Sequence, residues 1–96
     1  MLKHIVCFKL KDNSLSECEK ARDILLSMKG NVPMLRDINV GIDVLHSARS
    51  YDIILEVTLD DMDSLDRYQQ DEYHCSVVKK HMHSVAETSI SMDYIF

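Results

Sequence analysis

Apolar residues recur along this chain of 96 residues with two different spacings, and the order of these spacings restricts the fold more than any other feature of the sequence. In four segments apolar and polar residues alternate, which is typical of β-strands. In two regions apolar residues recur every three or four positions, as they do on one face of a helix. The order strand, helix, strand, strand, helix, strand predicts one α+β domain over residues 1–96.

The first strand and the first helix are predicted in the amino-terminal third of the chain. Residues 2–10 alternate and form the first strand. Ser16 and Glu19 have the spacing of a capping box, in which two otherwise unpaired backbone N–H groups at a helix start are satisfied by side chains. We therefore expect the helix to start at Ser16. Gly30 supplies the left-handed conformation that commonly ends a helix.

Three further strands follow from the same alternation. Residues 37–44 and 51–59 are separated by the polar turn 46–50, so we expect these two strands to pair antiparallel. Residues 86–96 form the last strand. The sequence therefore predicts a sheet of four antiparallel strands.

Two acidic positions mark helix starts in the second half of the chain. Asp60 or Asp61 is predicted to start one helical stretch, and Asp71 is predicted to start another. The second stretch carries its apolar and imidazole side chains at helical spacing: Val77, Val78, His81, Met82 and Val85.

This order of elements is that of the ferredoxin-like fold, in which both helices pack on one face of the sheet. The other face would then be bare. From the alternation of the strands, we expect it to carry Ile5, Cys7, Ile54, Glu56, Ser89 and Ile95. Such a mixed surface permits a partner without requiring one.

Charge and composition exclude several kinds of partner. The formal net charge is −5, which disfavours a nucleic acid partner. The apolar stretches are too short to span a membrane, and we expect a cytoplasmic protein. Cys7 and Cys18 are interpreted as reduced, small apolar residues. No glycine-rich loop or paired cysteine motif is present, so no cofactor and no metal ion is predicted.

Four segments of the chain together resemble the stress-responsive dimeric α/β-barrel family: residues 3–12, 38–43, 49–57 and 65–74. The most specific of them contains Tyr68 and His74, six positions apart, where the family commonly has Tyr-x-x-His-Pro-x-His. Here Asp71 and Glu72 stand in place of the first His and the Pro. The resemblance implies a homodimer in which two domains form an α/β barrel.

The spacing of Tyr68 and His74 requires a break in the helix if both side chains are to face one target. Residues six apart on an unbroken α-helix lie roughly 120° from each other around its axis. We infer that Asp71 breaks the helix by acting as an N-cap, which makes His74 the third residue of a new helix. There His74 shares a stripe with Val77, Val78 and His81, so we expect it to face inward.

Two interpretations of this pair remain open. In the first, His74 is a core histidine held by a backbone carbonyl, and Tyr68 is a core aromatic whose hydroxyl reaches the surface. In the second, both residues line a small cavity between sheet and helices together with His4, which lies on the Val6 and Phe8 face of the first strand. Val78 is included among the expected ligand contacts.

The resemblance extends to plant polyketide cyclases and gives these residues roles. It implies that His74 is a general base and that Tyr68 donates a hydrogen bond to the substrate carbonyl. His4 would line the pocket or orient the substrate.

Three functions follow as hypotheses. The first is the binding of a small apolar or carbonyl ligand without chemistry, and the second is a lyase or cyclase reaction. The third is a cofactor-free monooxygenase, as found in another family of dimeric ferredoxin-like barrels.

Overall fold

The computed structural model describes residues 1–96, and its elements follow the predicted order. The four strands are β1 (Leu2–Leu10), β2 (Asp37–Ile42), β3 (Ile53–Leu59) and β4 (Ala86–Ile95). The helices are α1 (Leu15–Leu26), α2 (Met62–Gln70) and α3 (Lys80–Val85), and a π-helical segment (His74–Lys79) leads directly into α3. All neighbouring strands are antiparallel in the order β2-β3-β1-β4. The ferredoxin-like α+β fold is thus confirmed.

The hydrophobic core lies between the helices and one face of the sheet. Sixteen buried apolar residues form it, and they come from every strand and helix except β4. Leu25 of α1, Val57 of β3 and Tyr68 of α2 are completely inaccessible to solvent. The edge strand β4 contributes backbone pairing to β1, while most of its side chains are exposed. No helix is long and apolar enough to cross a membrane.

The start of α1 differs from the prediction. The helix begins at Leu15, and the carbonyl of Ser14 accepts the first helical hydrogen bond, from the N–H of Cys18 at 3.0 Å. The Asp12 carboxylate accepts a hydrogen bond from the N–H of Ser14 at 3.0 Å, so the chain turns two residues earlier than expected. Ser16 therefore lies inside the first turn, and the predicted capping box is wrong.

The end of α1 follows the prediction in part. Gly30 has φ +84°, which confirms its left-handed conformation. The regular helix ends earlier, at Leu26, and successive turns connect it to Gly30.

Asp52 ties the carboxyl end of β1 to the start of β3. Its buried carboxylate accepts hydrogen bonds from the N–H of Leu10 at 2.7 Å and from Nδ2 of Asn13 at 3.3 Å. Its own N–H donates to the carbonyl of Phe8 at 2.8 Å. These bonds satisfy a buried charge and fix the strand that carries His4, Val6 and Phe8.

The side chains of β4 face the opposite way from the prediction over most of the strand. Residues directly opposite in an antiparallel pair project from the same face, and Ser89 and Ile95 lie opposite Phe8 and Leu2, on the helix-covered face. The assignment of these two residues to the bare face is therefore wrong. The cause is a bulge: Ala86 pairs with Leu10, but Thr88 pairs with Lys9, so the alternation reverses at Glu87.

As a result, the face of the sheet without helices is more apolar than predicted. We call it the open face. Its apolar members come from β1, β3 and β4: Ile5, Cys7, Ile54, Ile90, Met92 and Tyr94.

Candidate functional site

A cavity of about 260 Å³ lies between the sheet and the helices. This volume is slightly below the range of roughly 300–1,000 Å³ that is usual for small-molecule sites. The structure brings all six residues predicted for the site into its wall: His4, Val6, Phe8, Tyr68, His74 and Val78. Their roles in binding and catalysis stay predictions, but their shared location is a property of the fold.

The chain breaks between Tyr68 and His74 as expected from the sequence. Helix α2 ends at Gln70, and Asp71 has an extended backbone with ψ 133°. The Asp71 carboxylate accepts a hydrogen bond from the N–H of His74 at 3.0 Å, and its carbonyl accepts one from the N–H of Cys75 at 2.9 Å. Asp71 thus caps a new helical segment in which His74 is the third residue.

The new segment is π-helical at His74–Lys79, which changes the face that each side chain occupies. His74 and Val78 are buried as predicted, whereas Val77 is 40% exposed. A π-helix has more residues per turn than an α-helix, so the third residue along is rotated further from the starting stripe. The expectation that Val77 faces inward with His74 is therefore wrong.

Three aromatic rings pack together in the cavity wall. The rings of Tyr68 and His74 are stacked, with centroids 4.1 Å apart and an interplanar angle of 23°. The ring of His4 meets Tyr68 edge to face, at 5.7 Å and 66°. All three residues are buried. The break at Asp71 therefore places the imidazole of His74 directly over the ring of Tyr68.

The protonation state of His74 follows from its hydrogen bond. Nδ1 lies 2.9 Å from the backbone carbonyl of Tyr68, and because a carbonyl only accepts, Nδ1 carries the proton. Burial lowers the pKa of His74 to about 4, and the ammonium of Lys79 acts in the same direction. At neutral pH the ring is therefore uncharged, and Nε2 keeps a free lone pair.

The hydroxyl of Tyr68 remains inside the protein. It donates to Sδ of Met28 at 3.7 Å, and sulfur is a weak acceptor. Burial raises the pKa of Tyr68 well above its usual range, so the hydroxyl keeps its proton. The interpretation in which this hydroxyl reaches the surface is thus wrong, although the backbone carbonyl it assigned to His74 is present.

Sequence reasoning missed Asp93, which pairs with His4. The two residues lie directly opposite each other on β4 and β1, and the Asp93 carboxylate contacts Nδ1 of His4. This contact fixes the orientation of the imidazole and leaves its Nε2 free. The pairing could have been found from the β1/β4 register, had the reversal at Glu87 been recognised.

Other lining residues were also missed. Ser89 and Ser91 enter the cavity wall because of the same reversal in β4, and Gln69, Lys79 and His83 contribute from the helical side. Leu25, Leu55 and Met82 complete its apolar part. Gln69 directly follows Tyr68, Lys79 directly follows Val78, and His83 lies about one helical turn beyond Lys79, so proximity to the predicted residues was a usable signal for them.

No group of three or more His, Cys, Asp and Glu side chains is placed to hold a metal ion. His81 and His83 are two positions apart on α3, and only His83 lines the cavity.

The fold and the site together define a ferredoxin-like α+β domain with a cavity lined by imidazoles between its sheet and its helices. Within that class, the chain belongs to the stress-responsive A/B barrel domain (Dabb) family, whose sequence model matches residues 2–96. No curated protein matches the sequence.

Solved structures share the fold over the full length of the chain. A dimeric protein of unknown function from Bacteroides fragilis has a TM-score of 0.81 and 24% identity, covering 99% of this chain and 95% of that one. Hydroxynitrile lyase from Passiflora edulis has a TM-score of 0.84 and 15% identity, with coverages of 99% and 92%. An antibiotic biosynthesis monooxygenase has a TM-score of 0.76 and 13% identity, with coverages of 100% and 98%. At these identities the likeness concerns the fold alone.

Proposed function

We propose that this protein is a homodimeric α/β barrel that binds a small carbonyl compound in its cavity and moves a proton on it, as a lyase or cyclase does. The observation that carries this proposal is the state of His74. Its Nδ1 proton is held by the Tyr68 carbonyl, its ring is neutral at physiological pH, and its free Nε2 belongs to a residue in the cavity wall. A general base needs such an unprotonated nitrogen, and its efficiency rises when its pKa is brought toward the working pH.

The open face supports the homodimer. Its β4 residues are strongly exposed, with Met92 at 66% and Ile90 at 53%. Contiguous apolar surface of this kind is typical of an interface, and a two-fold axis lets the same patch cover itself. Two four-stranded sheets packed face to face would enclose these side chains. The protein of similar fold from Bacteroides fragilis is described as dimeric.

Light scattering coupled to size-exclusion chromatography tests the dimer. Met92→Asp places a charge in the centre of the proposed interface and should give a monomer. Met62→Asp is the matched control, because Met62 is similarly exposed at 56% but lies on α2, away from the open face. A monomeric wild-type chain, or a Met92→Asp chain that still dimerises, would contradict the proposal.

The proposed chemistry uses the residues of the cavity wall in distinct roles. Nε2 of His74 takes a proton from the carbon next to the ligand carbonyl, and the electron pair of that C–H bond moves onto the carbonyl oxygen. The hydroxyl of Tyr68 exchanges the weak acceptor Met28 for this oxygen and stabilises the developing negative charge. His4, held by Asp93, orients the ligand. The enolate then takes the proton back or attacks a second carbonyl group.

Exchange of α-protons for deuterium tests this step without knowledge of the natural substrate. A small ketone such as acetophenone is incubated with the protein in D2O, and loss of its methyl proton signal is followed by NMR. His74→Asn keeps a side-chain N–H that can bond the Tyr68 carbonyl but removes Nε2. Because general bases contribute about 10²–10⁴-fold to rates, we expect this variant to lose nearly all exchange above the solvent rate.

The matched control is His46→Asn, in the exposed β2–β3 connection. Asn tolerates the φ of 55° at this position, so the control should fold and exchange like the wild type. Equal exchange by wild-type protein and His74→Asn would sink the role of His74.

Binding without chemistry is the second candidate. It is favoured by the hydroxyl of Tyr68, which donates to Met28 and not to a group in the cavity wall. A wild-type protein that binds small ketones but gives no exchange above the solvent rate would select this candidate. The monooxygenase alternative stays a prediction, because only the fold connects it with this chain.

A further inference from the structure

The wall of the cavity has a charge opposite in sign to that of the whole protein. The chain carries a formal net charge of −5, yet the 14 lining residues include Lys79 and three histidines and contain no aspartate or glutamate. Two carboxylates outside the wall contact lining histidines: Asp93 engages the ring of His4, and Asp71 accepts the backbone N–H of His74. With the histidines neutral, Lys79 is the one formally charged side chain in the wall, so its end of the cavity should favour an anion.

The charged group is held at one end of the cavity. Nζ of Lys79 donates to the backbone carbonyl of Gln69 at 3.1 Å. Gln69 lies in the last turn of α2, where carbonyls lack helical partners and carry the negative end of the helix dipole. This contact places the ammonium without neutralising it.

The ammonium of Lys79 has donors to spare. It has three N–H groups, of which one is used by Gln69, and no carboxylate of the chain forms an ion pair with it. Lys79 is half-buried, so its free donors have less access to water than those of a surface lysine. His83, one turn further along, is exposed and lines the same cavity. Because His74 is buried and His83 is exposed, the end of the cavity at Lys79 and His83 is its mouth.

The distance between the mouth and the base is short. Nζ of Lys79 and Nδ1 of His74 bond the carbonyls of two adjacent residues, Gln69 and Tyr68, so one small ligand can reach both side chains. A volume of about 260 Å³ leaves room for a small compound with two polar ends and excludes a large cofactor-like molecule.

We infer that the ligand is a keto acid or an aromatic carbonyl acid, with its carboxylate bound by Lys79 and His83 at the mouth and its carbonyl facing His74 and Tyr68. This inference rests on the proposed function, since it names the substrate class of the same cavity. Binding of the carboxylate also screens the charge of Lys79 from His74, so the pKa of His74 should rise when the ligand is present.

Matched acids and amides test the inference. Binding of levulinate is compared with that of levulinamide, and binding of para-acetylbenzoate with that of para-acetylbenzamide, by NMR titration of the wild-type protein. Hydrogen bonds to charged groups contribute roughly 1.5–3 kcal/mol, which corresponds to a preference for each acid of about tenfold or more. Lys79→Met should abolish this preference, and Lys79→Arg should retain most of it.

Lys80→Met is the control, because it removes the same charge from the adjacent, exposed position. If it lowers acid binding as much as Lys79→Met, overall charge explains the preference and the inference is wrong. His83→Gln gives a second variant, which removes the imidazole at the mouth and should reduce the preference for each acid in part.

The outcomes separate this inference from the function on which it rests. Equal binding of acid and amide by the wild-type protein overturns the carboxylate site but leaves a carbonyl-binding cavity. Failure of all four compounds to bind overturns the binding proposal and the inference with it.

Discussion

Replacing Asp71 by alanine removes the side chain that ends one helix and starts the next. Its carboxylate accepts the N–H of His74 at 3.0 Å, so the substitution affects both the stability of the chain and the placement of the imidazole. Asp61 offers a matched control. It caps α2 in the same way, by accepting the N–H of Ser64 at 2.9 Å, whereas Asp71 accepts the N–H of His74.

The expected loss of stability for Asp71→Ala follows from its two contributions. Loss of an N-cap side chain costs about 1 kcal/mol, and loss of a negative charge at a helix start costs about 0.3–1 kcal/mol. The sum is about 1–2 kcal/mol. For a domain of this length each kcal/mol lowers the melting temperature by roughly 4–8 °C. Asp61→Ala should also lower the melting temperature.

The two variants should differ at the cavity. With the cap removed, the helix break loosens and His74 is no longer held over Tyr68, so only Asp71→Ala should slow proton exchange on acetophenone. Thermal unfolding is followed by circular dichroism at one fixed protein concentration, and exchange is measured well below the melting temperature. Equal exchange rates for the two variants would refute the argument that Asp71 positions His74.

Three further predictions concern buried polar groups. Folding lowers the pKa of His74 from 6.5 to about 4, so between these pH values the unfolded chain binds a proton that the folded chain does not. The free energy of unfolding, measured by urea titration, should therefore decrease as the pH is lowered from about 6.5 to about 4. The decrease should be smaller for His74→Asn. Asp93→Asn should leave the melting temperature almost unchanged but lower exchange on acetophenone, because an amide oxygen holds the imidazole of His4 less firmly than a carboxylate does; undiminished exchange would argue against this role. Asp52→Ala leaves the N–H of Leu10 buried without its partner, at a cost of about 1–3 kcal/mol in urea unfolding, and an unchanged midpoint would contradict the assignment.

Local chemistry explains why the break at Asp71 could be predicted from the sequence. An aspartate three positions before a histidine, at the end of a helical stretch, is an N-cap signal that depends only on neighbouring residues. The same holds for the start of α2 at Asp61. The order of strands and helices likewise follows from hydrophobic periodicity, which each segment carries by itself.

The elements that were wrongly placed depend on contacts that local patterns do not encode. The bulge at Glu87 reverses the direction in which the side chains of β4 project. Alternation along the strand does not reveal the bulge, because either face of β4 could be the one that contacts the helices. Ser89 and Ile95 were assigned to the bare face for that reason. The π-helical segment rotates Val77 into solvent in the same manner, since its sequence also fits an α-helix.

The candidate site was only partly predicted, because some of its residues are close in sequence and others are far apart. Tyr68 and His74 are close in sequence, and their relation could be argued from one helix break. Asp93 and His4 are 89 positions apart, and only the register of β1 and β4 brings them together. Lys79 was overlooked because a lysine on a helix is usually solvated.

The position of the proton on the ring of His74 is the measurement that tests the proposed function most directly. Nitrogen-15 NMR distinguishes the two neutral tautomers of histidine from each other and from the charged form. We expect His74 at neutral pH to carry its proton on Nδ1, with an unprotonated Nε2 whose signal shifts when a small ketone is added. A proton on Nε2, or a charged ring at this pH, would contradict the assignment of His74 as a base.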